Sequence, residues 1–315
     1  MRYQISVILP VHNEEKNLKI LTGEIREVLL DNSFRGEIIF IDDGSTDSSN
    51  TFLKEILKHD TNIKLITFSK NFGQTAAFAA GIKEASGEFI ITMDADGQNN
   101  PKDIPALIKE LNNGFDVVSG WRKKRKDKYL SRILPSQIAN FIISKMTGIA
   151  LHDYGCSLKI YRAKFLKKAD LYGEMHRFLP AIMGYMGAKI SEIEVDHRAR
   201  KTGKSKYGLT RIFKVILDLF TVKFMGDYLS KPIYFFGGIG FFLLLISSFS
   251  ATFTLYKKFY CDIFVKDQPL FLVAILLAIV GIQFIVLGLL AEINIRTYYK
   301  ANQNPPYFIK EREEL

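Results

Sequence analysis

Two long uncharged stretches constrain the fold of this 315-residue chain more than any other feature. They run from Ile233 to Leu255 and from Pro269 to Ala291, and each is close to the roughly 20 residues that cross a bilayer as a helix. One such stretch could be the core helix of a soluble protein, but two in so short a region favour a membrane hairpin over 232–295. The segment 256–268 between the spans is short and polar, so both ends of the hairpin should emerge on the same side of the membrane.

The charges around this hairpin predict which side holds the rest of the chain. Six basic residues flank the spans and outnumber the three lysines of the linker, in modest agreement with the tendency of basic loops to stay in the cytoplasm. Residues 1–30 lack the basic start, apolar run and cleavage site of a signal peptide. We therefore expect residues 1–207 and the tail 296–315 to be cytoplasmic. The flanking basic residues are Lys223, Lys231, Arg296, Lys300, Lys310 and Arg312.

The segment 208–231, which leads into the hairpin, has the pattern of an amphipathic helix. Apolar residues recur at helical spacing and charged residues lie between them. We expect a helix in the membrane interface, although a helix packed on the soluble part has the same pattern. The apolar positions are Ile212, Phe213, Ile216, Leu217, Phe220 and Phe224, and the charged ones are Arg211, Lys214, Asp218 and Lys223.

In residues 1–207, short apolar runs alternate with helical stretches. Because each run is almost entirely apolar, the alternation favours an α/β domain with a Rossmann-like, mostly parallel sheet that is buried on both faces. Such sheets bind ligands at the carboxyl ends of their strands, so residues that follow the runs are the candidates for function. The runs are 5–9, 37–41, 63–68, 89–93 and 116–119.

Asp94 and Asp96 follow the fourth of these runs and carry the strongest chemical signal in the sequence. Residues two apart on a strand point to the same side, so both carboxylates can face one small volume. Two such carboxylates repel each other unless a cation joins them, and oxygen ligands suit Mg²⁺ or Mn²⁺. Two aspartates in a turn are common, so it is their place after a buried strand that makes a metal site the favoured interpretation.

A second acidic segment, Asp42 to Asp47, follows another apolar run and opens a helix. A helix cap and a turn would account for some of these residues. The paired acids exceed what capping needs, so recognition of a base or a ribose is also expected here.

Charge and cysteine content restrict the partners without choosing among them. The net charge of +10 implies acidic partners, which include nucleic acid, anionic lipid and phosphorylated substrates. Cys156 and Cys261 are too few for a disulfide framework and lack the spacing of a metal site, so we expect free thiols.

The motifs together resemble those of the family 2 glycosyltransferases with a GT-A fold, on the segments 8–14, 42–47 and 94–96 in this order. The segments 71–74, 153–162 and 200–207, with the terminal hairpin, are similar to the polyprenyl-phosphate glycosyltransferases of that family. These include dolichyl-phosphate mannose synthases, bactoprenol glucosyltransferases and undecaprenyl-phosphate formamidoarabinose transferases. The resemblance covers nearly the whole chain and implies a GT-A catalytic domain followed by an interfacial helix and a two-helix transmembrane hairpin.

The resemblance also implies roles for individual residues. The nucleoside would be held by Pro10, Asn13, Glu14 and Asp43, and an Mg²⁺ or Mn²⁺ ion by Asp94, Asp96 and Gln98. A mobile loop that closes on the donor diphosphate would carry Arg200, Ser205 and Lys206. The lipid phosphate would be received by Arg122, Arg132 and Ser136. For the basic run 122–126, a solvated loop or a general anionic-lipid patch is the alternative; for Asp153, a structural ion pair is the alternative to a base or an orienting group.

The activity that this resemblance implies is an inverting, metal-dependent transfer of a sugar from a nucleotide-sugar, with a UDP-sugar favoured, to a polyprenyl phosphate, with undecaprenyl phosphate favoured. Its product would serve cell-envelope glycan or lipid modification at the inner membrane. A phosphate oxygen is already anionic near neutral pH, so positioning and charge neutralisation should carry most of the catalysis.

Three other functions fit part of the pattern. A processive polysaccharide synthase would share the aspartate motifs, but this chain lacks a QxxRW segment and has few spans. A non-catalytic membrane scaffold would have no need for the acidic motifs. Nucleic-acid binding is favoured by net charge alone, so we expect no nucleic-acid partner. A homo-oligomer formed through the membrane region is compatible with the hairpin.

Overall fold

A computed structural model describes residues 3–123, 134–169, 171, 173–198, 210–228 and 231–302 of the chain. The chain divides into two compact units, 1–222 and 223–315. The boundary lies inside a helix, α8 (Thr210–Tyr228), which covers most of the segment predicted to be amphipathic. On α8, Leu219 and Val222 are buried whereas Leu217 and Phe220 are exposed, so the helix has two different faces.

The described residues of the first unit contain a seven-stranded sheet with the strand order β3-β2-β1-β4-β6-β5-β7. Of these seven strands, β6 alone runs antiparallel to its neighbours. The mostly parallel sheet predicted from the alternating runs is therefore confirmed. The strands are β1 (Ile5–Val11), β2 (Gly36–Asp42), β3 (Ile63–Thr67), β4 (Phe89–Thr92), β5 (Val117–Trp121), β6 (Lys159–Arg162) and β7 (Ile190–Glu194).

Helices cover both faces of this sheet, which explains why the strands are apolar on both sides. The side chains of α1, α2 and α4 pack on one face and those of α3, α6 and α7 on the other. The result is a three-layer α/β/α arrangement with a core on each side of the sheet. The helices are α1 (Glu15–Asp31), α2 (Ser49–His59), α3 (Gln74–Glu84), α4 (Ile104–Asn112), α5 (Leu134–Thr147), α6 (Ala163–Leu166) and α7 (Leu179–Tyr185).

The direction of β6 matters for the site. Thr92, at the end of β4, pairs with Lys159, at the start of β6. The segment that leads into β6 therefore reaches the same edge of the sheet as the segments that leave β1, β2 and β4. Arg162, at the other end of β6, lies at the opposite edge, where its guanidinium is 3.6 Å from Asp116 and 3.8 Å from Glu88. These contacts indicate a structural role for Arg162.

The second unit contains two long helices, α9 (Pro232–Cys261) and α10 (Pro269–Asn302), in its described part. By length and composition, Pro232–Cys261 and Pro269–Thr297 could each cross a membrane, and only 17% and 11% of their most apolar windows are buried. The helices pack closely where a Cβ added to Gly240 would come within 2.5 Å of the Gly281 carbonyl oxygen. The Ser247 hydroxyl also donates to the Ala274 carbonyl at 2.7 Å. The predicted two-helix hairpin is thus present, and close packing explains the glycine at 240.

Candidate active site

The segments that follow β1 and β2 are joined by a network of hydrogen bonds. Asn13 has a φ of 60°, a left-handed conformation that asparagine tolerates, and it turns the chain at the end of β1. Its side-chain oxygen accepts from the backbone N–H groups of Thr46 at 2.7 Å and Asp47 at 3.3 Å. His12 lies with its Nδ1 atom 2.8 Å from the Asp43 carbonyl oxygen. These contacts hold the two segments together at the carboxyl edge of the sheet.

Asp43 ties a third segment to the same edge. Its buried carboxylate accepts from the backbone N–H groups of Phe72 at 2.6 Å and Gly73 at 3.0 Å. Gly44, with a φ of 65°, lies so close to this segment that an added Cβ would be 2.6 Å from the Lys70 carbonyl carbon. The acidic segment after β2 therefore fixes the loop between β3 and α3. The sequence analysis had predicted a helix cap or ligand recognition for this segment, but not this contact.

Asp94 and Asp96 lie in the turn after β4, which ends at Thr92, so the alternation of side chains along a strand, from which we expected both carboxylates to face one volume, does not apply to them. The Asp94 carboxylate accepts from the Gln74 side-chain amide at 2.5 Å, and the Asp96 carboxylate accepts from the Gln98 backbone N–H at 3.1 Å. Gly97 makes the turn with a φ of 72°, which glycine adopts without strain.

This donor set suits a hard divalent cation that keeps other ligands. In the ranges that the structure describes, no group of three or more His, Cys, Asp or Glu side chains could hold a metal ion. Two carboxylates and an amide oxygen are oxygen ligands of the kind that Mg²⁺ or Mn²⁺ takes, with the remaining sites left to water and phosphate. The residues present therefore fit a hard divalent cation that takes further ligands from outside the protein.

Gln98 also meets the segment after β7. The side-chain nitrogen of Gln98 is 3.3 Å from the Nε2 atom of His197. The backbone carbonyl oxygen of Gln98 accepts from the Arg198 backbone N–H at 2.9 Å. Arg198 is fixed in turn by Glu24 on α1, with nitrogen-to-oxygen distances of 2.7 and 2.8 Å. The chain immediately before residue 199 is thus anchored beside Gln98.

Arg122 and Asp153 form a bidentate ion pair at this edge. The guanidinium donates from Nε and Nη2 to the two carboxylate oxygens at 2.7 and 3.0 Å. Burial opposes the charged guanidinium, but the adjacent Asp153 carboxylate outweighs burial and raises the pKa of Arg122. Glu192 holds the Asp153 segment by accepting from the backbone N–H groups of His152 and Asp153 at 2.9 and 3.0 Å. Asp153 therefore forms the structural ion pair that the sequence analysis gave as the alternative to a catalytic role.

A pocket opens beside Asp94, between α3, the start of β6 and a 3-10 helix, Met175–Phe178. Lys159 lies in its wall and is 3% exposed, and its ammonium group donates to the backbone carbonyls of Tyr154 at 3.0 Å and Cys156. Burial of Cys156 raises the pKa of its thiol to about 11, so this cysteine stays protonated at neutral pH. The lining residues are Gln74, Phe78, Thr92, Asp94, Tyr154, Gly155, Cys156, Ser157, Lys159, His176, Arg177 and Leu179.

The predicted site residues divide into those that the structure describes and those that it does not. Most lie in segments at the carboxyl edge of the sheet, and Ser136 lies in the first turn of α5. Arg132, Arg200, Ser205 and Lys206 are outside the described residues. The described ones are Pro10, Asn13, Glu14, Asp43, Asp94, Asp96, Gln98, Arg122, Ser136 and Asp153.

Four residues of this edge were assigned no role from the sequence. Gln74 and Lys159 belong to motifs that carried the family resemblance, but nothing in the sequence indicated that they would meet Asp94 or line a pocket. His176 and Arg177 follow no strand, and they reach the pocket because the 3-10 helix packs against α3, where the Thr75 hydroxyl is 2.7 Å from His176 Nδ1.

Comparison with known proteins agrees with the resemblance. The model of the glycosyl transferase family 2 matches residues 6–169. A dodecaprenyl-phosphate galacturonate synthase from Rhizobium johnstonii is 40% identical over 98% of this chain and 92% of its own length. An undecaprenyl-phosphate 4-deoxy-4-formamido-L-arabinose transferase from Salmonella choleraesuis is 34% identical over 98% of this chain and 93% of its own length.

Solved structures support the fold. Glucosyl-3-phosphoglycerate synthase from Mycobacterium tuberculosis, in complex with Mn²⁺ and UDP-glucose, matches 71% of this chain and 79% of its own, with a TM-score of 0.52 and 16% identity. Its complex with Mn²⁺, UDP and phosphoglyceric acid has a TM-score of 0.53 at 18% identity and covers 71% and 78% of the two chains. The catalytic unit thus has the GT-A fold expected from the sequence. With the family model, the relatives and the edge that carries Asp94 and Asp96 in agreement, the chain belongs to glycosyl transferase family 2.

Proposed function

We propose that this glycosyltransferase moves a sugar from a nucleotide-sugar to a polyprenyl phosphate at the cytoplasmic face of the inner membrane. The observation that carries the proposal is the 40% identity to a dodecaprenyl-phosphate galacturonate synthase over 98% of the chain, which includes both long apolar helices. Undecaprenyl phosphate is the acceptor we favour, since it is named in the formamidoarabinose transferases.

A UDP-sugar with Mn²⁺ or Mg²⁺ is the donor complex we favour. The solved complexes of the M. tuberculosis synthase contain UDP-glucose or UDP with Mn²⁺, which supports this choice. In this chain the ion would be held by Asp94, Asp96 and Gln98, and it would neutralise charge on the donor diphosphate. The nucleoside would be held by Pro10, Asn13, Glu14 and Asp43, at the ends of β1 and β2.

The acceptor lipid would approach near Arg122 and α5. α5 presents exposed apolar side chains at helical spacing, Ile138, Phe141 and Ile142, and it follows the basic run 122–126 and Arg132 in sequence. Basic residues beside apolar side chains suit a ligand with a phosphate head and an isoprenoid chain. In this proposal Arg122, Arg132 and Ser136 receive the lipid phosphate.

The reaction we propose is a single displacement at the anomeric carbon. An oxygen of the lipid phosphate attacks that carbon, the bond to the donor diphosphate breaks, and the nucleoside diphosphate leaves with the electron pair, so the anomeric centre inverts. Arg200, Ser205 and Lys206, on the segment that begins after Arg198, would stabilise the leaving diphosphate. Asp153 would orient Arg122 toward the lipid phosphate through their ion pair.

The direct test is transfer by the purified full-length protein in detergent. The protein is incubated with undecaprenyl phosphate, MnCl₂ and each of a set of UDP- and GDP-sugars, and the lipid-linked product is identified by mass spectrometry. We expect product with at least one UDP-sugar and none after addition of EDTA. Free sugar and nucleotide without lipid-linked product, for every donor, would contradict the proposal.

The division of the basic residues between substrates is tested by kinetics. Arg122→Ala should raise the KM for the polyprenyl phosphate much more than that for the nucleotide-sugar, and Lys206→Ala should show the reverse bias or a lower kcat. A charge-assisted contact contributes about 1.5 to 3 kcal/mol, which corresponds to about tenfold to a hundredfold. If both variants weaken the two substrates equally, the basic segments form one electrostatic funnel and this division is wrong.

A further inference from the structure

The wall of the pocket beside Asp94 contains two basic side chains from separate elements. Lys159 comes from the start of β6, and Arg177 comes from the 3-10 helix Met175–Phe178. Asp94 is the acidic residue that lines the same pocket. In the proposed function this carboxylate would hold the metal that binds the donor diphosphate, so the sugar attached to the diphosphate would face Lys159 and Arg177.

Lys159 is unusual because it is a buried base. Its ammonium group reaches the backbone carbonyls of Tyr154 and Cys156, and among the described residues no carboxylate lies within 4 Å of it. Desolvation lowers the pKa of Lys159, because burial disfavours the charged form. The carboxylates of Asp153 and Asp94 favour the charged form but do not outweigh burial, so an anion bound in the pocket would offset part of the remaining cost in free energy.

Arg177 is the second basic side chain of the pocket, and its guanidinium can contact a ligand in a different geometry from the ammonium of Lys159. Its side chain is 23% exposed, and its Nε atom is 3.8 Å from a Glu174 carboxylate oxygen. A guanidinium has five N–H donors, so Arg177 can retain this contact and still bind a carboxylate of a ligand. The neighbouring His176 is held to α3 through Thr75, which fixes the short helix that carries Arg177.

We infer that this pocket is the sugar subsite and that Lys159 and Arg177 select a sugar that carries a carboxylate, a hexuronate. The inference rests on the proposed function and adds to it the chemical class of the transferred group. A neutral hexose would add no negative charge beside the buried ammonium of Lys159, whereas a hexuronate would place a carboxylate in the pocket that both basic side chains line. The name of the galacturonate synthase relative is in keeping with this class.

The competing source of negative charge is the diphosphate itself. If Lys159 and Arg177 bind phosphate oxygens, they serve every nucleotide-sugar alike. If they bind a sugar carboxylate, they distinguish UDP-galacturonate from UDP-galactose, which differ in having a carboxylate or a hydroxymethyl group. A comparison of these two donors therefore separates the sources.

The test is calorimetric titration of the full-length protein in detergent with MnCl₂, without acceptor, using UDP, UDP-galacturonate and UDP-galactose. We expect the wild type to bind UDP-galacturonate at least about tenfold more tightly than UDP-galactose, the lower end expected for one charge-assisted contact. Arg177→Met and Lys159→Met should each lose about tenfold or more in affinity for UDP-galacturonate and leave UDP and UDP-galactose within about twofold. Arg177→Lys, which keeps the charge, should retain part of the preference.

Lys54→Met is the matched control, since Lys54 is an exposed lysine on α2. It should bind all three ligands as the wild type does. Lys159→Met removes two hydrogen bonds from a buried loop and could unfold the protein, and in that case Arg177→Met, which changes a partly exposed side chain, carries the test. Equal losses for both donors, or no preference in the wild type, would overturn the inference. Failure of UDP itself to bind would overturn the proposed function and the inference together.

Discussion

The turn after β4 brings two carboxylates to the site, but their surroundings differ. Asp94 accepts a hydrogen bond from the Gln74 side chain, whereas Asp96 accepts one from the backbone of its own turn. A substitution at Asp94 would also remove its contact with Gln74 on α3, so we use Asp96 to test the metal.

The first prediction concerns Asp96. Asp96→Asn should abolish sugar transfer and weaken Mn²⁺-dependent UDP binding by about tenfold or more, because a charged ligand of the cation is lost. The melting temperature should stay close to that of the wild type. Titration of UDP with and without MnCl₂ measures the effect, and activity within tenfold of the wild type would exclude Asp96 as a metal ligand.

The second prediction separates structure from chemistry in the pair of Arg122 and Asp153. Asp153→Leu alone leaves the buried guanidinium without its partner and should lower the free energy of unfolding by about 3 to 5 kcal/mol. Replacing both residues, by Arg122→Met with Asp153→Leu, should recover most of that stability because neither charge remains buried. Thermal unfolding measures stability, and transfer to polyprenyl phosphate measures activity.

In the double variant, thermal stability and transfer activity should respond differently. Recovered stability without transfer would assign the pair a role in the reaction. Recovered stability with transfer would show that Arg122 and Asp153 serve the fold alone.

The aspartates were predictable from the sequence because each lies directly after an apolar run, and the rule that ligands bind at strand ends applies to them. Gln74, Lys159 and Arg177 could not be found in this way. Gln74 opens a helix, Lys159 begins a strand that runs against its neighbours, and Arg177 depends on the packing of a short 3-10 helix on α3. Their positions follow from tertiary packing, which a periodic pattern does not record.

Four segments of the chain are joined by Glu37, at the edge of the sheet opposite the site. This buried carboxylate accepts from the Ser6 hydroxyl on β1 and from the Ser86 backbone N–H before β4, both at 2.6 Å, and it pairs with Lys64 on β3 at 2.8 Å. Burial raises the pKa of Glu37, but the contacts with Lys64, Ser6 and Ser86 outweigh burial, so the net pKa is lowered. The order of the first four strands thus depends in part on one charge.

The third prediction follows from that lowered pKa. Because the folded-state pKa of Glu37 lies below its unfolded value, its contribution to stability is present above about pH 4.5 and is lost as the pH falls through the folded value. Glu37→Gln should lower the free energy of unfolding near neutral pH by about 1 to 3 kcal/mol, since a charged acceptor is lost, and it should flatten the decline in acid. Thermal melts between pH 3 and pH 7 test both effects. An acid decline as steep in Glu37→Gln as in the wild type would assign the decline to other groups.

Five of the seven strands of the described sheet and the two long helices were predicted from the sequence, because buried strands and membrane helices both leave apolar runs. The runs match β1 to β5, whereas β6 and β7 were not found among them. The case of β6 has a clear reason. This strand consists of Lys159 to Arg162, a four-residue strand with a charged residue at each end, so its composition gave no sign of a strand in the middle of a sheet. The helix α9 also extends beyond its apolar stretch. It continues after Leu255 through part of the segment predicted to be a linker and ends at Cys261.

The two cysteines of the chain offer a test of membrane topology without further engineering. Cys156 is buried, and burial raises the pKa of its thiol, so it should resist alkylation in the native protein. Cys261 is exposed at the end of α9. Modification of the native chain should therefore report on Cys261 alone.

The fourth prediction is that a membrane-impermeant maleimide labels Cys261 in intact spheroplasts, since the proposed hairpin places this residue on the outer side of the membrane. Cysteine introduced by Lys310→Cys, in the Cys261→Ser background, should be labelled only after the membrane is made permeable. Labelling of that cysteine from outside would show that the tail is not cytoplasmic. Mass spectrometry of peptides identifies the modified residue.

The reversed direction of β6 also limits how this protein can diverge. The segment 153–158 is held at one end by the ion pair of Asp153 with Arg122 and at the other by the Ser157 carbonyl, which accepts from the Thr92 hydroxyl at 2.8 Å. One inserted or deleted residue would shift β6 by one place and turn Lys159 away from the pocket to the opposite face of the sheet. Members of the family that share this arrangement should therefore differ in the side chains of this segment but keep its length, so that new sugar preferences arise by substitution and not by insertion.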